Sequence, residues 1–175
     1  ARRGEAREVL GLPDDRFVVA VVGGSLGAAA VNRTVEGAVE RLADRRDLAV
    51  HHVVGPRNLG GAAPERDGAS GILYRVIGYE DRMAAVYAAP DLMVTRAGAG
   101  TIAELATVGV PAVIVPWPGA AEHHQHDNAR VLGDLGGAVV IDEADFGVDR
   151  LVAEIERYSA DRGAVDEMAR RARGA

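Results

Sequence analysis

The segment TRAGAGTIAE, Thr95–Glu104, sets two glycines, a threonine hydroxyl and then a carboxylate within a few positions of one another. The residues ahead of it, DLMV, suit a short buried strand, and those after it suit a helix. A strand, a glycine-rich turn and a helix start together form a seat for an anion. The first backbone N–H groups of a helix lack partners, its dipole favours negative charge, and glycine lets a phosphate approach the main chain. A second such stretch, GGSLGA, follows the apolar run FVVAVV. There Gly23, Gly24 and Gly27 leave room for a phosphate and Ser25 adds a hydroxyl. Taken singly, either stretch reads equally well as a tight turn with no ligand.

Glu104 admits two readings. It stands at the right distance from Thr101 for a capping box, in which the carboxylate satisfies the backbone of the helix start. It also suits a ribose diol. A third cluster, AEHHQHDNA, opens another helix. His123 and His126 share a helix face, yet no neighbouring pattern supplies a convincing third zinc ligand. The histidine, glutamine and asparagine side chains suit hydrogen bonds to sugar hydroxyls better.

Those three clusters must be positioned by elements that the rest of the chain encodes. Apolar, β-branched runs at Phe17–Val22, LAVHHVV, ILYRVI, DLMV, PAVIV and AVVI read as strands, and helical stretches separate them. The first helix stops at Gly11 and Pro13; the second runs from GGSLGA to about Leu42, with Val31, Val35 and Val39 at helical spacing. GPRNLGGAAPERDGASG reads as a long polar loop, and YEDRMAAVYAA as a short helix with Met83 and Val86 or Tyr87 inward. His51 and His52 alternate across a strand, which places one of them in the core. Trp117, between two prolines, reads as a cover over the core. Strands alternating with helices imply an α/β fold, a Rossmann-like doubly wound parallel sheet of about six strands in the order 3-2-1-4-5-6. That order sets the first and fourth strands side by side at the topological switch point. The loops after them are GGSLGA and RAGAGT, so both anion seats face one crevice.

Composition narrows the chemistry. The chain has 175 residues, 48% of them apolar, a formal charge of −6, no cysteine and, among twenty basic residues, no lysine. Thiol nucleophiles, disulfides and cysteine-ligated zinc are excluded, as are a Walker A lysine and a Schiff-base lysine. Net acidity argues against non-specific nucleic-acid binding. No apolar run approaches the roughly 20 residues of a membrane span. The dinucleotide fingerprint fails as well: the glycine spacing is wrong and the second strand ends in Val53, Val54 and Gly55 rather than an acid. A cytoplasmic setting is expected.

GGSLGA, TRAGAGTIAELATVGVPAVIVPWP and EHHQHDNA, in this order and spacing, resemble the C-terminal domain of the MurG family, the bacterial UDP-N-acetylglucosamine transferases of peptidoglycan synthesis. The resemblance covers essentially the whole chain. It implies half of a GT-B fold: residues 1–175 form one donor-nucleotide-sugar domain, and an N-terminal acceptor domain lies outside them. It further implies inverting transfer of GlcNAc from UDP-GlcNAc to the lipid-linked MurNAc-pentapeptide (lipid I), with no cofactor and no metal. Consistent with that, the chain has no Asp-x-Asp motif.

Carried onto this sequence, the resemblance implies that Gly24, Ser25, Ala99, Gly100 and Thr101 hold the diphosphate and that Glu104 takes the ribose. Tyr79 and Glu80 flank uracil, largely through the main chain, and His124, Gln125 and Asn128 read the sugar. The catalytic base is expected in the missing domain, leaving this chain able to bind donor but inactive alone. The full-length protein is expected to be peripheral on the cytoplasmic face of the membrane. The family often has HQ where this chain has His52 and Val53, and often glutamine where His124 stands. The alternatives are another GT-B UDP-sugar transferase, an epimerase-like enzyme, or a UDP-sugar-binding subunit that works with a separate acceptor-binding chain.

Overall fold

A computed structural model describes residues 2–23, 28–120 and 124–175. Helix α1 (Arg3–Leu10) leads into strand β1 (Phe17–Val22), α2 (Ala29–Arg41) and β2 (Leu48–Val53). A short edge strand β3 (Arg66–Asp67) precedes β4 (Leu73–Ile77), α3 (Met83–Ala88) and β5 (Leu92–Thr95). Then come α4 (Ala99–Val108), β6 (Ala112–Ile114), α5 (His124–Gly133), β7 (Ala138–Val140), α6 (Val148–Ala160) and α7 (Arg162–Ala172).

The strands form one seven-stranded sheet in the order β3-β4-β2-β1-β5-β6-β7. Six are parallel, in the arrangement expected of a doubly wound sheet. The seventh, β3, pairs antiparallel with β4 through Arg66 and Asp67. It corrects the reading of residues 55–71 as unbroken loop: two polar residues at an edge carry no apolar alternation to betray them.

β-Branched residues dominate β1 because both its faces are covered. Val19 and Val21 pack with Val31, Val35 and Val39 of α2 and Leu151 and Ile155 of α6. Val18 and Ala20 pack on the other side with Leu10 of α1, Val86 of α3, Leu105 of α4 and Leu132 of α5. The same double cover explains a second correction. His51 and His52 point to opposite faces of β2 and both are buried, rather than one. Likewise Val86 and Tyr87 of α3 are both buried, while Trp117 is 43% exposed.

The N-terminal edge of the sheet is held by a buried carboxylate. Asp91, just before β5, accepts from Arg7 at 2.7 Å, Arg3 at 3.0 Å and the backbone N–H of Val18 at 2.8 Å. Arg162 of α7 also lies 2.7 Å from it. Arg7 in turn donates to the carbonyls of Ala89, Pro13, Asp14 and Arg16, so α1 is bolted beneath the sheet. Gly11 closes α1 in the left-handed conformation at φ 64°, where a side chain is strained.

Candidate functional site

The opposite edge of the sheet is built differently. β1 and β5 are direct neighbours, with Val22 beside Thr95, so the two glycine-rich turns leave the sheet side by side. Of GGSLGA, only Gly23 and Ala28 are described; Gly24, Ser25 and Gly27 lie outside the described residues. The turn is close enough that a side chain at Gly23 would stand 2.9 Å from the Ala28 Cβ. The Thr95 hydroxyl donates to the Val22 carbonyl at 3.0 Å and ties the two strand ends together.

Helix α4 begins at Ala99, with Gly98 before it in extended conformation and no side chain capping it. The first turn therefore has backbone N–H groups at Ala99, Gly100 and Thr101 that no intrahelical carbonyl takes up. A methyl built at Gly100 would meet no atom of the described residues within 4 Å. This start also bears on the capping-box reading of Glu104. Thr101 is the third residue of the helix rather than its cap, and Glu104 lies in the second turn, out of reach of the helix start. The capping box does not form, and the exposed carboxylate is left for another partner. One is close by. The buried Tyr87 side chain neighbours Glu104 and Thr101; burial first, then the Glu104 carboxylate, push its pKa up.

Arg96 sits at the mouth of this turn but does not face it. Its guanidinium is buried, donates to the carbonyls of Val115 and Pro116 at 3.2 and 3.4 Å, and pairs with Glu143. Sequence reading assigned no role to this pair, because nothing in the spacing of Arg96 and Glu143 brings them together before the fold does. Beyond it, the first turn of α5 reaches back. Gln125 accepts from the backbone N–H of Ala97 at 3.2 Å and of Trp117 at 2.8 Å, and Asn128 donates to the Ala97 carbonyl at 3.0 Å. His124 is exposed at the start of α5, and His126 pairs with Asp142 at 3.2 Å. His123 lies outside the described residues. Among the described residues no group of three histidine, aspartate or glutamate side chains forms a metal-ligand set.

Tyr79 and Glu80 follow β4 at the same edge. Tyr79 is 77% exposed, free to stack on a flat ring, whereas Glu80 is buried. The Glu80 carboxylate accepts from the Arg82 guanidinium at 2.7 and 2.9 Å and from its backbone N–H at 3.0 Å. That hydrogen bonding holds its pKa down to about 2. Any contact of this pair with a base therefore falls to Tyr79 and the main chain.

Under the site, His52 organises a buried chain of hydrogen bonds. Its Nε2 stands 3.0 Å from the Asn32 oxygen and its Nδ1 2.9 Å from the Tyr74 hydroxyl. Asn32 donates to the Val54 carbonyl at 3.0 Å, which fixes its amide and makes Nε2 the protonated nitrogen of a neutral ring. Burial, then His51, lowers the His52 pKa to about 4. The network joins the first turn of α2 to the end of β2.

These elements gather at the C-terminal ends of the strands. They supply an uncapped helix start for an anion, an exposed carboxylate one turn further on, an aromatic ring at one end and two carboxamides at the other. Residues 18–175 match the glycosyltransferase family 28 C-terminal domain. The UDP-N-acetylglucosamine–N-acetylmuramyl-(pentapeptide) pyrophosphoryl-undecaprenol N-acetylglucosamine transferase of Cutibacterium acnes is 45% identical over 157 residues, 89% of this chain and 41% of its own length. The protein of that name from Clavibacter michiganensis subsp. michiganensis is 40% identical over 172 residues, 98% of this chain and 45% of its own. The crystal structure of Acinetobacter baumannii MurG shares the fold with a TM-score of 0.81 at 32% identity, over 99% of this chain and 49% of that one. The chain thus spans about half the length, or less, of the relatives it matches.

Proposed function

Because the chain belongs to glycosyltransferase family 28, through that family's C-terminal domain, we propose that it is the donor-binding half of an inverting UDP-GlcNAc transferase. The whole enzyme would pass GlcNAc to the 4-hydroxyl of undecaprenyl-diphospho-MurNAc-pentapeptide, held by a separate N-terminal domain. One observation carries the reading: the two glycine-rich stretches follow adjacent strands, and the second leads into a helix whose start has no side-chain cap and, among the described residues, no atom within 4 Å of a methyl at Gly100.

The roles follow from the chemistry of each position. The diphosphate lies at the α4 start, held by the N–H groups of Ala99, Gly100 and Thr101, a role that Gly24 and Ser25 share. Glu104 accepts from the ribose hydroxyls, Tyr79 lies along the uracil with Glu80 contributing only main chain, and His124, Gln125 and Asn128 meet the sugar. Departing UDP gains negative charge as the glycosidic bond breaks. Fixed N–H dipoles at a helix start stabilise that charge more in the transition state than in the ground state, which is what accelerates the step. No general base is assigned to this chain; the base belongs to the acceptor half. No helix of the described residues is long and apolar enough to cross a membrane. On this reading the other domain provides access to a lipid-linked acceptor, and the whole protein sits on the cytoplasmic face of the membrane.

Calorimetric titration of the chain with UDP-GlcNAc, UDP-GalNAc and NAD tests the reading. Selective binding of UDP-GlcNAc, with no lipid II formed by the chain alone, is the expected result. Preference for NAD, or for no nucleotide at all, sinks it.

A further inference from the structure

The anion seat does not hold its own position. It hangs from the Ala97 peptide groups, and both sides of that residue are gripped from α5. The Ala97 N–H is taken by the Gln125 oxygen at 3.2 Å, and the Ala97 carbonyl by the Asn128 amide at 3.0 Å. The same Gln125 oxygen accepts the Trp117 N–H at 2.8 Å, so its two lone pairs hold two different loops. Gln125 and Asn128 are three residues apart and so share one face of α5. The preceding residues are tied elsewhere, Thr95 to β1 and Arg96 to the loop after β6. Gly98 follows Ala97 in extended conformation and α4 starts at once. Where Ala97 is placed, the N–H groups of Ala99, Gly100 and Thr101 are placed too.

We infer that Gln125 and Asn128 are positioning residues of the diphosphate seat, and that through Ala97 they couple the sugar end of the crevice to its phosphate end. The inference rests on the donor-site reading above and adds a consequence that sugar contacts alone do not have. A pair that only read the sugar would matter for UDP-GlcNAc and not for UDP. A pair that places the seat matters for both. The bonds also fix polarity. With its oxygen turned to the loops, Gln125 offers N–H to the crevice, and Asn128, with its amide turned to Ala97, offers an oxygen. A hydroxyl set between them accepts from the first and donates to the second.

The test compares UDP with UDP-GlcNAc on the chain and its Gln125→Ala and Asn128→Ala variants, alongside amide hydrogen exchange at Ala97 and Trp117. UDP binding is expected to weaken about tenfold in each variant, the effect of losing one placed hydrogen bond, and UDP-GlcNAc at least as much. In Gln125→Ala the Ala97 and Trp117 amides exchange faster, and Gln125→Glu, which keeps an accepting oxygen, restores their protection. Should Asn128→Ala fail to fold, Asn128→Ser takes its place. Unchanged UDP affinity beside weakened UDP-GlcNAc binding, or unchanged exchange at Ala97, overturns the inference while leaving the donor site standing. A wild-type chain that binds neither ligand overturns the donor reading itself.

Discussion

The two edges of this sheet solve opposite problems with the same backbone. At the N-terminal edge the central polar groups are consumed internally: Asp91 meets three arginines and the Val18 N–H, and Arg16 donates to the carbonyls of Leu48, Gly68 and Gly71. At the C-terminal edge the helix start is uncapped, Ala99 and Gly100 are exposed, and Glu104 caps nothing. Side chains there hold loops in place without filling the space between them. One edge spends its hydrogen bonds on stability, the other keeps its own for a ligand.

The largest effect should come from the first edge. Asp91→Ala leaves a buried Arg7 without its counter-charge, and breaking a buried pair from one side costs about 3–5 kcal/mol. Urea denaturation should show that loss, while the fraction that stays folded binds UDP-GlcNAc as the wild type does. A matching fall in affinity would mean that the two edges are not separable.

Acid provides the next test, acting between them. His52 has an ordinary pKa of 6.5 that the fold lowers to about 4, so between those values the unfolded chain binds the proton and the native chain does not. Stability therefore falls as pH drops from 6.5 towards 4, and the gap corresponds to about 3 kcal/mol. His51, also lowered by burial, adds in the same direction. Glu80 acts in a lower window: its contribution is complete above 4.5 and is lost as pH falls towards 2. Unfolding midpoints followed against pH should therefore fall in two stages. In His52→Gln the first stage should shrink. Because native His52 stays neutral until pH nears 4, its network under the first turn of α2 stays intact through that stage, and donor affinity should hold until pH approaches 4.

How much of this was legible beforehand follows the same division. The strand order at the switch point, and with it the adjacency of GGSLGA and RAGAGT, came from alternating strands and helices alone. The helix after RAGAGT was also visible, but its first residue was not. Thr101 and Glu104 match a capping box so well that only the helix starting at Ala99 excludes it. The tethers from Gln125 and Asn128 to Ala97 were hidden for a different reason. They run from side chains to backbone across about thirty positions of sequence, and no residue pattern encodes a carbonyl. The fold of β3 was hidden because it has no apolar face to show.

A smaller effect should come from Glu104→Ala. The side chain is exposed and caps nothing, and its neighbour within the fold is Tyr87, so the melting temperature should fall only slightly. Losing hydrogen bonds from a charged group to the ribose costs about 1.5–3 kcal/mol, and calorimetry should report a ten- to hundredfold weaker complex with UDP-GlcNAc. A variant that melts much earlier and binds normally would return Glu104 to a structural role.

Gly100→Ala divides the two edges' logic most finely, because stability and affinity should move apart. The residue lies in the first turn of α4, and among the described residues an added methyl touches nothing within 4 Å. Alanine also gives up less backbone freedom on folding than glycine, and within a helix the exchange stabilises by about 0.5–1 kcal/mol. On packing and propensity alone, then, alanine is the better residue at this position. Its cost falls on the ligand: the methyl occupies the space through which a phosphate reaches the N–H groups. The variant should melt slightly later and bind UDP less tightly than the wild type. If it melts later and binds equally well, the phosphate does not approach over Gly100, and the glycine there serves the turn rather than the seat.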